Sequence, residues 1–600
     1  MQGVRQARLQ RDSSISEALT MSLLCIDDHN RLKPDNPLVE EIDTVSMIHG
    51  DPTTFQEAMS GSQANQWYHA IKEEWNSILH NQTFELPGEN IALKTIPSDA
   101  KPISSKWVFK TKTNPDGSTR YKACLVIRGY QQVEGVDYGE TYAPVSKLAT
   151  FRLLIYLSAY YGWHIDHMDV VTAFLNPTID RENIYMRLPP CIEEIDSRVN
   201  GSTIVRLLKA LYGLKQAPRL WFEEIHAFLL SIGATQSTTD PNLYMRGGSL
   251  ILLYVDDTLI IHVVPEAGNE IKHLLQAKYK MSDLGIARRF LGIQIEQAAT
   301  GITLSQADYL KKILNRFGME KAHGSASPMD VNVRLDNPTC EDRQVTDVKG
   351  YLAIVGSLMY AALGTRPDIA FCVTALSRYN SAPLTMHLTA AKRALRYLKE
   401  TLDLKLTFPR ACPITGGQTS AIPTAKLTGF TDSDWGSHIV DRKSVGGCIF
   451  FGGSFGIDPD LPRPAAGPVH WQSKSQTVVA LSTLEAEYIA CSDATRKAIW
   501  LRRIYQDILD AAAILKGENV VTTPVPLGCD NQGALKLIET GVSKQKTKHI
   551  DIKFHHARDE AGKGTVIFHY VASSKNPADL LTKALPIPKH RELTRMSGLL

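Results

Sequence analysis

Two adjacent carboxylates, Asp256 and Asp257, stand between two apolar β-like runs, Leu250-Ile251-Leu252-Leu253 before and Leu259-Ile260-Ile261 after. Two such runs meeting at a polar pair read as a hairpin that presents both acids at its tip. Side chains that hold a divalent metal for phosphoryl transfer are hard oxygen donors crowded on a rigid element, which such a tip supplies. Asp is also a common turn residue, so the four residues Tyr254-Val255-Asp256-Asp257 are equally an acidic turn until something else is brought beside them.

Six hundred residues exceed one hydrophobic core, so several domains are expected. The formal charge of +3 places any nucleic-acid binding in local basic patches. Nine single cysteines, without a CxxC pair or a zinc-like His/Cys cluster, argue for a reducing compartment and against structural zinc. No apolar run reaches the roughly 20 residues that span a bilayer, and no signal-peptide pattern opens the sequence, so no membrane role is expected.

Residues 1–50 have weak periodicity and read as a linker or tail. An amphipathic helix follows, with Trp67, Ile71, Trp75, Ile78 and Leu79 on one face and Lys72, Glu73 and Glu74 largely off it. Short strands and helices in mixed order to about 300 suggest an α+β domain. A helix opens at Ser305-Gln306-Ala307-Asp308 and closes at Gly318, a polar loop covers 319–345, and helices are expected over 347–363 and 386–401, separated by Thr365-Arg366-Pro367-Asp368. From about 426 the order becomes three strands, helix, strand, helix, strand, then a short helix after Pro577, which is a second α/β domain. Eight of the 17 residues in 452–468 are Gly or Pro, so that stretch reads as a loop.

Asp169, at the end of an apolar segment, is a third acid for the pair, though alone it is equally a helix N-cap. His167-Met168-Asp169-Val170-Val171-Thr172-Ala173-Phe174-Leu175-Asn176 followed by Tyr254-Val255-Asp256-Asp257 resembles the polymerase core of copia-type LTR retrotransposon Pol proteins. Further blocks match in order: Lys106 to Lys110, Arg120 to Ala123, Leu211 to Arg219, Phe290 to Ile293, and Gly364 to Ile369. The resemblance covers roughly 50–590. It implies that Asp169, Asp256 and Asp257 hold two Mg2+ ions, with Mn2+ as the substitute. It also implies that Phe174 lies beneath the nucleotide sugar, that Gln216 lies in the nucleotide-contacting block, and that Phe290-Leu291-Gly292 positions the primer end. The other reading of Phe174 is simple core packing. Residues 101–130 carry seven basic side chains, among them Lys110 and Lys122, against Asp116 alone, flanking the turn Asn114-Pro115-Asp116-Gly117. Such a hairpin suits template phosphates and a triphosphate. The family usually has a basic residue after Lys-Ala here, whereas this chain has Cys124.

A second acid set lies at the ends of different elements: Asp432, Glu485 or Glu487, Asp530 and Asp579. Acids so placed converge at one edge of an α/β sheet and repel one another unless a metal neutralises them. Their order is similar to a ribonuclease H domain of the same family, which implies that Asp432, Glu487, Asp530 and Asp579 bind two Mg2+ ions. Glu487 is preferred over Glu485 because Glu-Tyr-Ile-Ala fits the family motif. Lys544, Lys546, Lys548, His549 and Lys553 read as a basic substrate-facing loop, and no cysteine pair supports a metal at His549, His555 and His556.

The expected fold is therefore an α+β multidomain chain, a right-hand polymerase followed by a ribonuclease H-like α/β domain. The expected division is linker 1–50, fingers and palm 51–298, thumb and linker 299–345, connection 346–420, ribonuclease H-like domain 421–590 and tail 591–600. The resemblance implies an RNA-directed DNA polymerase with ribonuclease H, acting on template RNA, DNA primer, RNA–DNA hybrid and deoxynucleoside triphosphates, alongside capsid and integrase. The implied location is a cytoplasmic virus-like particle, or the nucleus. The alternatives are a decayed or repurposed copy that only binds nucleic acid, and a structural fragment whose upstream domains lie elsewhere.

Overall fold

A computed structural model describes residues 51–86, 101–113, 118–181, 183–410, 427–453, 466–514, 524–540 and 552–600. The expected linker 1–50, the turn 114–117, most of the Gly/Pro-rich loop, and Lys544, Lys546, Lys548 and His549 lie outside these residues, as does the side chain of Lys553.

Helices α1 (Phe55–Ser60) and α2 (Ala64–His80) lead into the hairpin β1 (Ile103–Thr113) and β2 (Thr119–Ile127). Strand alternation gives this hairpin two chemistries. Trp107, Phe109, Ala123 and Leu125 are buried on one face, and Trp67 of α2 meets Phe109 and Tyr121 edge-on at 5.4 and 4.8 Å. The register Lys110↔Lys122 and Val108↔Cys124 sets the basic side chains on the other face. Glu74, expected largely off the apolar face of α2, is buried there instead: its Oε1 accepts from the Leu125 backbone N–H at 3.2 Å, which satisfies a polar group that periodicity counts as misplaced.

Helix α3 (Leu148–Tyr161) precedes β3 (His164–Val170), and β4 (Tyr185–Arg187) and β5 (Ile204–Arg206) complete a four-stranded sheet of order β2-β1-β4-β5. Next come α4 (Ala217–Ser231), β6 (Thr235–Gln236), β7 (Leu243–Arg246), β8 (Ser249–Tyr254), β9 (Asp257–His262), α5 (Pro265–Lys278) and β10 (Met281–Ile286). The central sheet runs β10-β3-β9-β8-β7-β6, and β8–β9 is the hairpin expected from the sequence, closed by Val255-Asp256 with Tyr254 opposite Asp257. Continuous apolarity in these strands reflects burial on both faces. Leu250, Leu252, Leu259 and Ile261 join one core with α3, whereas Ile251, Leu253 and Ile260 join another with Trp221, Ile225, Ile271 and Leu275.

Strands β11 (Arg289–Phe290), β12 (Ile293–Ala298) and β13 (Gly301–Ser305) are followed by α6 (Ala307–Arg316), α7 (Val348–Gly364), α8 (Ala370–Ser377), α9 (Thr385–Glu400) and β14 (Leu406–Pro409). The helix α8 and strand β14 were not expected. Thr365 to Asp368, read as the separator of two helices and as part of a family block, is a buried node. The Arg366 guanidinium pairs with the Asp368 carboxylate at 2.7 Å, Tyr397 donates to the same carboxylate at 2.6 Å, and both charged residues are almost wholly enclosed.

The last sheet consists of β15 (Leu427–Asp434), β16 (Val445–Gly452), β17 (Pro468–Ser475), β18 (Val525–Cys529) and β19 (Val566–Tyr570), in the order β17-β16-β15-β18-β19. β15 runs antiparallel to β16 and parallel to β18. The long helix α10 (Thr483–Ile514) crosses this sheet, and α11 (Gln532–Thr540) and α12 (His556–Gly562) pack beside it. The terminal stretch, expected to be a tail, is docked: α13 (Ile587–Met596) leads to a buried Leu599, and Leu600 and Lys405 exchange backbone hydrogen bonds at 2.9 and 3.0 Å. The fold class is thus the one expected, a polymerase-type α+β half and a ribonuclease H-like α/β half.

The halves share a core. Helix α3 is apolar all round and buried from Leu148 to Ala159, as a helix sandwiched between two sheets must be. Its one cation, Arg152, lies 3.9 Å over the Trp471 ring of β17, donates to Val469 O at 3.0 Å, and donates to Leu363 O and Gly364 O at 2.8 and 3.1 Å.

Candidate active sites

The first acid set is assembled by strand register. Asp169, next to last in β3, lies directly opposite Asp257, the first residue of β9, and Asp256 occupies the turn between β8 and β9. The turn is held against a steric preference: Val255 is β-branched yet has φ 59°, in the left-handed region. Trp221 Nε1 donates to Val255 O at 2.6 Å, and the Val170 N–H donates to Asp256 O at 3.0 Å, so both sides of the tip are clamped. His167 Nε2 lies 3.0 Å from Asp257 Oδ1. Loss of water, then the Asp257 and Asp169 charges, push the Asp256 carboxyl up to about 7, while Lys122 pulls it down. That opposing pull places Lys122, on the basic face of the β1–β2 hairpin, within electrostatic reach of the acids.

Phe174 is buried in a short 3-10 turn, its ring edge-on to Tyr212 at 5.2 Å. Gln216 is wholly buried: its Oε1 accepts from Gln132 and its Nε2 donates to Asp137 O, both at 3.0 Å. These two bonds anchor its amide in the wall of the site. Gly213 (φ 98°) explains why its block carries glycine, because a Cβ there would lie 2.1 Å from Ile127 O at the end of β2. Leu291 and Gly292, both left-handed at φ 51° and 72°, form a turn whose Phe290 ring faces those of His167 and Tyr254. Tyr360 of α7 donates to Leu291 O at 2.5 Å.

The second set converges at one edge of the last sheet. Asp432 is buried on β15, Asp530 follows the parallel neighbour β18, Glu487 descends from α10, and Asp579 lies in a 3-10 turn, Pro577–Leu581. One oxygen from each of Asp432, Asp530 and Asp579 lies within 4.8 Å of the others, and the ligand atoms of Glu487, Cys529 and Asp530 form a second such group. Asn576 pins the turn, donating to Thr431 O at 2.9 Å and accepting from the Ala578 N–H at 3.1 Å. Glu487 Oε1 accepts from the Ser433 N–H at 3.1 Å, whereas Glu485 accepts from the Leu481 N–H at 2.7 Å and serves the start of the helix. Burial, followed by the Asp432 charge, pushes Glu487 up to about 10 and Asp579 up to about 7; burial also raises Asp530. Hard oxygens that resist ionising together fit a bound divalent cation.

Three participants escaped the sequence reading. Lys583 Nζ lies 2.9 Å from Asp579 Oδ1 and 3.4 Å from Asp432 Oδ2. Thr582 donates its hydroxyl to that Asp432 oxygen, and Cys529 stands 3.9 Å from Glu487 Oε2. The i,i+4 spacing of Asp579 and Lys583 was the available signal. Of the histidines, His555 pairs with the Tyr488 hydroxyl at 2.9 Å; His556 groups with Asp559 and Glu560, but Lys563 holds both acids at 2.6 and 3.0 Å.

Residues 89–331, which include all three acids of the first set, match the family model described as reverse transcriptase (RNA-dependent DNA polymerase). The chain is 34% identical to the Retrovirus-related Pol polyprotein from transposon TNT 1-94 of Nicotiana tabacum, over 92% of this chain and 39% of that protein. It is 33% identical to the corresponding polyprotein from transposon RE1 of Arabidopsis thaliana, over 88% of this chain and 33% of that one. The chain thus spans well under half the length of these two relatives. The Putative transposon Ty5-1 protein of Saccharomyces cerevisiae is 34% identical over 54% of this chain and 98% of its own length. With its acids in register and its matches running in order along most of its length, the chain belongs to the copia-type retrotransposon Pol polyproteins that carry a reverse transcriptase domain.

Proposed function

We propose that this chain is an RNA-directed DNA polymerase that copies retroelement RNA by two-metal nucleotidyl transfer, joined to a ribonuclease H that degrades the RNA of the hybrid. The observation that carries the reading is Asp169 facing Asp257 across adjacent strands, with Asp256 clamped in the turn between. Divalent metal, Mg2+ or Mn2+, bound at these acids supplies Lewis-acid activation of the primer hydroxyl and neutralises triphosphate charge.

The protein's own part is positioning. Asp256, held up by loss of water and by the Asp257 and Asp169 charges, would be a ligand once a cation offset those charges. Lys110 and Lys122, cross-strand partners on the basic face, meet the triphosphate. Phe174 lies under the sugar, and Gln216 fixes the wall behind it. In the second site Asp432, Glu487, Asp530 and Asp579 hold the cations, and the hybrid is read by backbone and groove shape. Partners on this reading are template RNA, DNA primer, RNA–DNA hybrid and deoxynucleoside triphosphates, with capsid and integrase in a cytoplasmic virus-like particle.

Primer extension on an RNA template with Mg2+, compared with Asp256→Asn, tests the polymerase: synthesis that does not exceed the variant's refutes it. A labelled RNA–DNA hybrid tests the nuclease, which is excluded if wild type and Asp530→Asn leave equal amounts of intact RNA.

A further inference from the structure

The acids of the nuclease-like edge are already held by a cation of the chain's own. Lys583 Nζ lies 2.9 Å from Asp579 Oδ1 and 3.4 Å from Asp432 Oδ2, bridging two acids contributed by different elements. The lysine is four residues from Asp579, so one leg of the bridge is set by local backbone. The other leg reaches β15, where the Thr582 hydroxyl donates to the same Asp432 oxygen. Thr582 and Leu581 are wholly buried, which fixes the backbone, whereas the Lys583 side chain is 35% exposed and has a path toward solvent.

An ammonium and a divalent ion cannot both sit on this pair of oxygens. Both are cations, and like charges a few ångströms apart repel even where the surroundings screen them. We infer that Lys583 is a resident counter-cation that a divalent metal must displace from Asp432 and Asp579, so that it sets the metal concentration at which the nuclease site loads. The inference rests on the nuclease reading proposed above. It makes Lys583 a positioning residue: before loading, it holds Asp432 and Asp579 at ligand spacing, and it yields when a stronger cation arrives.

The test is calorimetric titration of the full chain with Mg2+ or Mn2+, in an Asp256→Asn background that weakens binding at the polymerase acids, with metal-free and metal-saturated Tm as a second readout. Lys583→Met is expected to bind metal roughly tenfold more tightly than its parent. Its metal-free Tm is expected to be lower and its metal-induced rise in Tm larger. Lys583→Arg, which keeps the charge, is expected to match the parent. Lys583→Gln replaces the methionine variant should the latter lack the parent's circular dichroism spectrum. Unchanged or weaker binding without the lysine charge overturns the inference, as does an arginine variant that tightens as much as methionine. If Asp432→Asn in the same background leaves the isotherm unaltered, the nuclease-site reading itself fails, and the inference with it.

Discussion

Cys124 shares the basic hairpin face with Lys122 and is 8% exposed, opposite Val108. A long cation at this position can bury its stem and deliver its head to the site. Cys124→Arg is therefore expected to lower the KM for deoxynucleoside triphosphates about tenfold, the size of one charged hydrogen bond, with kcat nearly unchanged. Steady-state primer extension reads this directly, and an unchanged KM would show that the missing charge is supplied elsewhere. One raised carboxyl from each acid set predicts a pH dependence. Asp256 and Asp579, raised to about 7, hold protons in the folded state that the unfolded chain has released above the ordinary carboxylate range. Between that range and about 7 the folded state binds more protons, so their contribution to stability falls as pH rises. Without metal, Asp256→Asn is expected to flatten the loss of Tm across that window; Mg2+ is expected to flatten it in wild type by favouring the anions. A variant with the wild-type slope would refute this.

At the scale of elements, the start of α10 separates two glutamates that the sequence writes two residues apart. Glu485 serves the backbone at the helix start, and Glu487 faces Asp530. Glu485→Gln is expected to cost about 1 kcal/mol or less in stability and to leave hybrid cleavage close to wild type. Glu487→Gln is expected to raise Tm, because a buried acid among acids is replaced by a neutral isostere, and to reduce cleavage at least about a hundredfold. Thermal melts and a hybrid-cleavage assay on both variants check the pair together. The Thr365 to Asp368 link shows the opposite case, an element boundary that is also a core. Its arginine and aspartate were visible in the sequence, but their mutual burial was not, because only the packing of α7, α9 and α13 around them excludes water. Asp368→Asn leaves Arg366 enclosed without its counter-charge and is expected to cost about 3–5 kcal/mol in chemical denaturation.

At the scale of the whole molecule, the two halves are bolted through α3. Arg152 spans from α3 to β17 and to the end of α7, and Trp471 Nε1 returns a bond to Ala362 O at 2.8 Å. Arg152→Ala strands several buried carbonyls and removes a ring contact, which is expected to cost about 3 kcal/mol. The variant is expected to release the C-terminal half to limited proteolysis, and a cleavage pattern identical to wild type would refute the coupling.

The sequence by itself determined the acid hairpin, the α2 and α6 helices, and the succession of strands and helices along the last α/β half. Each is written in local periodicity and turn chemistry, which act over a few residues. Its ordered motifs also sufficed for the family. Tertiary structure alone decided the direction in which other polar groups face: Glu74 and Gln216 turned inward to specific partners, Lys583 reached across to Asp432, and the final ten residues docked rather than trailed. Those outcomes depend on burial and on through-space distance between residues remote in sequence, and no local pattern encodes either.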